Sequence, residues 1–236
     1  MKHSVPYGFL ATELPFPVFR WKFSEGAGTS LADSSGNGYT GTLTTGTVWG
    51  TATIGGIANC SFAIFNGTSQ LATSASAVSQ LTGSAHASMS FWFIATSPAS
   101  HLIAGAYTTA NERFSILGVS GSTIYVILDN GTSESSPQAS VSYYGAWHHL
   151  VFTFDGTQVY TSRYTLYLDG VSQSLTGFSS PVNTPTSVPS GIGNQLIARD
   201  ISDGVYGAQG TTDYQLWTNT LTQAQVTALF KKGPQT

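Results

Sequence analysis

The stretch from Trp147 to Gly170, WHHLVFTFDGTQVYTSRYTLYLDG, limits the possible folds most sharply. Leu150, Phe152 and Phe154 alternate with His149, Val151 and Thr153, and Tyr164, Leu166 and Leu168 alternate with Thr165 and Tyr167. A period of two, rich in aromatic and β-branched residues, is the pattern of a strand with one face in a core. Each run ends in Asp-Gly, at Asp155-Gly156 and Asp169-Gly170. Glycine accepts a positive φ and aspartate caps its own turn, so both pairs read as reversals. Two large apolar faces need an equally apolar partner, which predicts the centre of a two-sheet sandwich.

The rest of the chain repeats the pattern in shorter pieces. Alternating runs at residues 18–23, 48–54, 61–65, 71–73, 89–95, 101–106, 114–119 and 123–128 predict strands, with turns at Asn66-Gly67 and Asp129-Asn130-Gly131. A polar loop with Pro181, Pro185 and Pro189 fills 177–194, and 195–199 and 213–218 read as closing strands. One helix is predicted. Thr222 and Gln225 form a T-x-x-Q capping box, Val226, Leu229 and Phe230 share a face, and Gly233-Pro234 stops the run. Many short strands with regular turn punctuation argue for an all-β, two-sheet antiparallel sandwich or jelly roll. With 236 residues, no internal repeat and no long linker, this is one sandwich, preceded by an arm at 1–17 and followed by a tail at 231–236.

Five stretches, in order, carry a resemblance. They are Trp21-Lys22-Phe23 with the Asp33–Gly38 loop behind it, Gly55-Gly56 before Phe65-Asn66-Gly67, Ser90-Phe91-Trp92-Phe93, the Trp147–Gly170 hairpin, and Asp213–Trp217 with the Leu221–Val226 segment. Together they resemble the laminin-G-like jelly-roll domains of the concanavalin A-like lectin and glucanase superfamily, across residues 18–230. The resemblance implies a sandwich with a short C-terminal helix and, as in many relatives, a structural Ca²⁺. Asp33, Asn37 and Asp213 are the candidate ligands, since calcium takes six to eight oxygens from carboxylates, carbonyls and water. The competing reading makes Asp33 and Asn37 turn caps. Two departures bear on the ion: Asn66 stands where the family usually has an acid, and Thr212 precedes Asp213 where an apolar residue is usual.

Composition excludes several functions. Charged residues make up 8% of the chain, against roughly 25% in typical domains. The net charge is −3, and no basic run exists to follow a phosphate backbone. No apolar run approaches the ~20 residues that span a bilayer. The glycine-rich Gly36–Gly41 stretch spells G-x-G-x-x-G without the strand and helix a dinucleotide site needs. Glycoside hydrolysis needs paired carboxylates, and Glu13, Glu25, Glu112 and Glu134 are isolated. His148 and His149, adjacent on a strand, face opposite ways and cannot share one metal. Cys60 is the single cysteine. The chain therefore reads as non-catalytic.

Recognition remains. Glycans are held by aromatic faces with amides or carboxylates alongside, and the loop candidates are Tyr107, Asn111, Arg113, Tyr143, Tyr144 and Tyr206. The competing reading, which weighs more for each taken singly, is packing at the rim of the sandwich. In the arm, Tyr7, Phe9, Leu14 and Phe16 either pack on their own domain or dock onto a neighbouring chain. The chain opens at Met1 without an apolar export segment, and virion proteins leave by lysis. The expectation is a surface recognition or adhesion protein, a capsid decoration or tail accessory protein of a bacteriophage that also touches glycans. A homo-oligomer fits that role. The alternative is a secreted carbohydrate-binding module or lectin.

Overall fold

The structure is a computed structural model that describes residues 13–74, 76–97, 101–109, 112–180, 183–190, 192–201 and 204–235. In chain order the strands are β1 (Phe19–Trp21), β2 (Ser30–Leu31), β3 (Gly41–Leu43), β4 (Val48–Ile54), β5 (Ile57–Asn66), β6 (Ala72–Ser74), β7 (His86–Ala95), β8 (Leu102–Thr109) and β9 (Glu112–Val119). Then come β10 (Thr123–Asn130), β11 (Glu134–Ser135), β12 (Gln138–Ser140), β13 (Trp147–Asp155), β14 (Tyr164–Leu168), β15 (Val171–Gln173), β16 (Asn194–Ile197) and β17 (Ala208–Trp217). One helix, α1 (Gln223–Lys232), closes the described chain.

The strands form two antiparallel sheets. Sheet I runs β15-β14-β13-β7-β17-β5-β4, with β1 also paired to β17. Sheet II runs β11-β10-β9-β8-β16-β6-β3-β2, with β12 also paired to β10. The hairpin that opened the sequence lies within sheet I, where Phe152 sits between Leu166 of β14 and Met89 of β7. Its predicted faces hold. Leu150, Phe152 and Phe154 enter the inter-sheet core, and Val151 packs on the outside. Across the core, the Phe152 ring stacks on Phe114 of sheet II with centroids 4.7 Å apart. Trp21 lies flat against Gly41 of sheet II, where any Cβ would run into its ring, and its indole N–H donates to the Tyr39 carbonyl at 2.8 Å.

The two Asp-Gly pairs behave differently. At Asp169-Gly170 both φ angles are positive, 52° and 79°, as a tight hairpin turn of the primed type requires. At Asp155-Gly156 the chain does not reverse at once, and β14 begins only at Tyr164. Gly156 is needed for a different reason: the Thr186 carbonyl occupies the space of a Cβ. That carbonyl belongs to the loop read as polar. The loop instead feeds the core with Val188 and Ile192, and Arg163 fastens it by donating to the carbonyls of Thr184 (2.8 Å) and Pro185 (3.1 Å).

The outer face of sheet I is also covered. The capping box of α1 forms as expected, with Thr222 accepting from the Gln225 backbone and the Gln225 side chain returning to Thr222. Val226 and Leu229 bury against Val151, Tyr167, Trp217 and Leu221. Phe230 stacks on Trp92 at 5.7 Å. The tryptophans of β7 and β17 thus pack beneath the helix rather than between the sheets. Among the described residues no helix is long and apolar enough to cross a membrane.

Candidate functional site

The arm leading into β1 is anchored by both its main chain and a side chain. Pro15 and Pro17 fix φ near −65° and hold the chain out of regular pairing. The Trp217 indole N–H donates to the Pro15 carbonyl at 2.9 Å, and the Gln225 side-chain amide donates to the Glu13 carbonyl at 2.8 Å. Leu14 packs into the cluster under α1. Phe16 follows and is left 94% exposed. An aromatic ring held in water on a pinned segment gains nothing for its own fold. It stands between two depressions. One, of about 610 Å³, is lined by Glu13, Phe16, Asn219, Thr220 and Gln225. The other, of about 170 Å³, lies toward Arg20, Trp217 and Lys232. Leu14 and Phe16 thus split between the two readings of the arm, one packed on its own domain and one free. Tyr7 and Phe9 lie outside the described residues.

Of the described glycan candidates, only Tyr144 is an open side chain. Tyr107 is only 1% exposed, because β8 continues past it instead of ending at Ala106. Tyr143 is buried in the core, and burial pushes its hydroxyl up to about 12. Arg113 is held between Glu134 (3.3 Å) and the fully buried Asp200 (3.5 Å). Tyr206 is half-buried beneath the Arg199 guanidinium, 5.5 Å from its ring centroid. Tyr144 is open, at 47%. Asn111 lies outside the described residues. The expectation that Tyr107, Arg113 and Tyr143 meet a ligand from loops is therefore corrected: Tyr107 and Arg113 lie on the paired strands β8 and β9, Arg113 held by ion pairs, and Tyr143 is a core residue.

The metal candidates resolve into two separate arrangements. Asp33 accepts from the backbone N–H groups of Arg20, Ser35 and Tyr39 and from the Ser35 hydroxyl. Burial pushes its carboxyl up, but these hydrogen bonds outweigh it and hold the group below the usual carboxylate range. Asn37 donates to the Val18 carbonyl and to Ser35, so both residues act as turn and edge caps. Asp213 is 3% exposed, with φ at 51° in the bulge of β17. Its Oδ1 accepts from Arg20 Nε (2.9 Å) and Nη2 (2.8 Å), and its Oδ2 from the Gln235 backbone (3.1 Å). Burial raises this carboxyl, against the pull of Arg20. Ligands of one calcium ion lie within roughly 5 Å of each other. Asp33 meets the main-chain end of Arg20 and Asp213 its guanidinium, with every carboxylate oxygen already engaged. In this arrangement the three residues do not fit a shared ion. Among the described residues no cluster of three or more His, Cys, Asp or Glu could hold a metal.

One pair resembles a nucleophile and its base. Ser90 Oγ lies 2.8 Å from His149 Nε2. The third member of a relay is absent, because Asp169 bonds to His148 Nδ1 (2.7 Å) and to the His149 backbone N–H (2.8 Å), not to the His149 ring. His149 is 2% exposed beneath Trp92 and Phe230. Its burial pulls it down to about 3, with Asp169 opposing. Ser90 is 1% exposed, so both partners are closed to solvent. Sequence reasoning missed this pair, since it paired neither residue with the other. It also missed the Arg20–Asp213 contact, which spans 193 positions.

Comparison with known proteins follows the same lines. Residues 65–227 match the family described as the concanavalin A-like lectin/glucanases superfamily, in its laminin-G-like branch. Nothing among curated proteins matches the chain. Among solved structures it is similar to the botulinum neurotoxin serotype G binding domain, at 14% identity and a TM-score of 0.63, covering 91% of this chain and 50% of that one. The serotype D binding domain matches at 14% identity and a TM-score of 0.65, covering 92% and 51%. A structure of the botulinum neurotoxin D receptor binding domain gives 14%, 0.65, 92% and 52%. This chain spans about half the length of these structures, and the likeness is one of fold.

Proposed function

Because this chain belongs to the concanavalin A-like lectin/glucanases superfamily, we propose that it is a non-catalytic recognition protein that docks through its N-terminal arm. The partner in the first reading is a structural protein of a virion, on whose surface this chain is an accessory. The observation that carries the reading is Phe16, 94% exposed on an arm fixed by Trp217 and Gln225. A backbone already held in place loses little freedom on binding, and aromatic anchors dominate interface energies. The polar, weakly charged composition suits a surface protein, and Tyr144 leaves an aromatic face open for glycans at another part of the molecule. The reading needs no bound calcium, which accords with Arg20 neutralising Asp213.

The test is co-sedimentation of the purified chain with virions from its own source. Wild type is expected to sediment with them and Phe16→Ser to stay in solution, with the circular dichroism of the two identical. Equal sedimentation of both would remove Phe16 from the interface.

A second reading has its own support. The similar structures are receptor or binding domains of toxins, which favours a free carbohydrate-binding module. On a glycan array that reading expects selective binding that Tyr144→Ala removes. A flat response across all sugars counts against it.

A further inference from the structure

The two depressions beside Phe16 differ in charge. Among the described residues, the larger is lined by Glu13 and no cation. The smaller, of about 170 Å³, is lined by Arg20 and Lys232 and no acid. The rest of its wall is largely apolar, with Leu14, Pro17, Trp217 and Leu229.

The protein itself leaves much of this positive charge unmatched. Arg20 gives two of its five N–H groups to Asp213, from Nε and Nη2. Asp213 lies behind it, 3% exposed, with its other oxygen on the Gln235 backbone. Lys22 stands close enough to act on the same carboxylate. Lys232 is exposed at the end of α1 and makes no ion pair among the described residues. A chain with a net charge of −3 thus turns a positive spot toward the ring of Phe16. The arm offers main chain as well. Pro15 and Pro17 have no N–H, and the Pro15 carbonyl is taken by Trp217. The N–H and carbonyl of Phe16 have no partner among the described residues.

We propose that Phe16 meets an extended polypeptide segment of the partner that carries an Asp or Glu beside a large apolar side chain. The carboxylate enters the depression of Arg20 and Lys232, and the apolar side chain lies against Phe16. The inference rests on the reading of the arm as the docking element and adds the chemistry of what it docks to. A free backbone donor and acceptor pair with another backbone, as in strand addition; a lipid headgroup has no such pair to offer. Arginine receives carboxylates through neighbouring N–H groups. A phosphate backbone would need a row of cations, and this small space has two. Glu13, on the far side of Phe16, repels the same carboxylate and so sets the direction of the segment.

The experiment is selection from a displayed library of random peptides about twelve residues long, with the full chain as bait at about 0.15 M salt, where exposed charges more than ~8 Å apart are screened. Wild type is expected to enrich Asp or Glu beside a large apolar residue. Lys232→Glu should lose that preference and bind a selected peptide at least about fivefold more weakly. Lys231→Glu makes the same change of charge at an exposed residue that lines neither depression, and should keep the preference. Enrichment without acids overturns the inference, as does an acidic preference that Lys232→Glu retains. A loss shared equally by both glutamate variants overturns it too, since bulk charge would then be the cause. So does the absence of any enriched peptide, and binding to phosphatidylserine vesicles in that case would make a membrane the occupant. If Phe16→Ser abolishes sedimentation with virions while no acidic peptide is enriched, the partner's chemistry is refuted and the docking arm stands. If acidic peptides are enriched but virions bind both proteins equally, the virion reading fails and the groove stands.

Discussion

His149 is closed to a second proton by its surroundings. Its ring packs against both Trp92 and Phe230 with one nitrogen on Ser90, and burial holds it at about 3 against an ordinary value of 6.5. The sign follows from linkage. Below pH 6.5 the unfolded chain binds a proton that the native chain refuses, so stability is full above that value and falls as pH drops toward 3. The slope is about 1.4 kcal/mol per pH unit, so roughly 2 kcal/mol is lost between pH 7 and pH 5. Urea denaturation across that range should show the loss in wild type and a flatter profile in His149→Gln. Arg20 makes a second prediction. Removing it leaves Asp213 buried and unpaired, so Arg20→Met should cost about 3 to 5 kcal/mol, read as a lower melting temperature. If Arg20 is the resident cation, neither calcium nor a chelator will move the wild-type melting point. Neither pair was legible in the sequence. Ser90 and His149 meet only through the β7–β13 register, and Arg20 reaches Asp213 only because β1 pairs with β17.

At the scale of elements, the parts with local signals were the readable ones. The Trp147–Gly170 alternation placed its own faces correctly, and T-x-x-Q located the start of α1, because both patterns depend on neighbours in sequence. The helix gives a direct test. Thr222→Ala removes the cap and should cost about 1 kcal/mol, measured by chemical denaturation. Strand ends and loop interiors were not readable. Tyr107 looked like a loop residue because the alternation weakens after Ala106, while β8 runs on. The loop after β15 looked polar, yet its Val188 fills core space that no local pattern announces. Its docking against Gly156 predicts that Gly156→Ala, with the Thr186 carbonyl in the way, destabilises by about 1 to 3 kcal/mol.

For the whole molecule, the sandwich is a filled scaffold. Its interior is closed by stacked aromatics from both sheets, and the outer face of sheet I is largely closed by α1 and the arm. What such a body offers to others is at its margins, and among the described residues the most exposed large apolar side chain is Phe16. The most direct measurement is a binding isotherm for the chain on virions from its own source, repeated with Phe16→Ser at matched stability. Loss of an anchoring aromatic should weaken binding at least about thirtyfold. Superimposable isotherms for the two proteins would contradict the account.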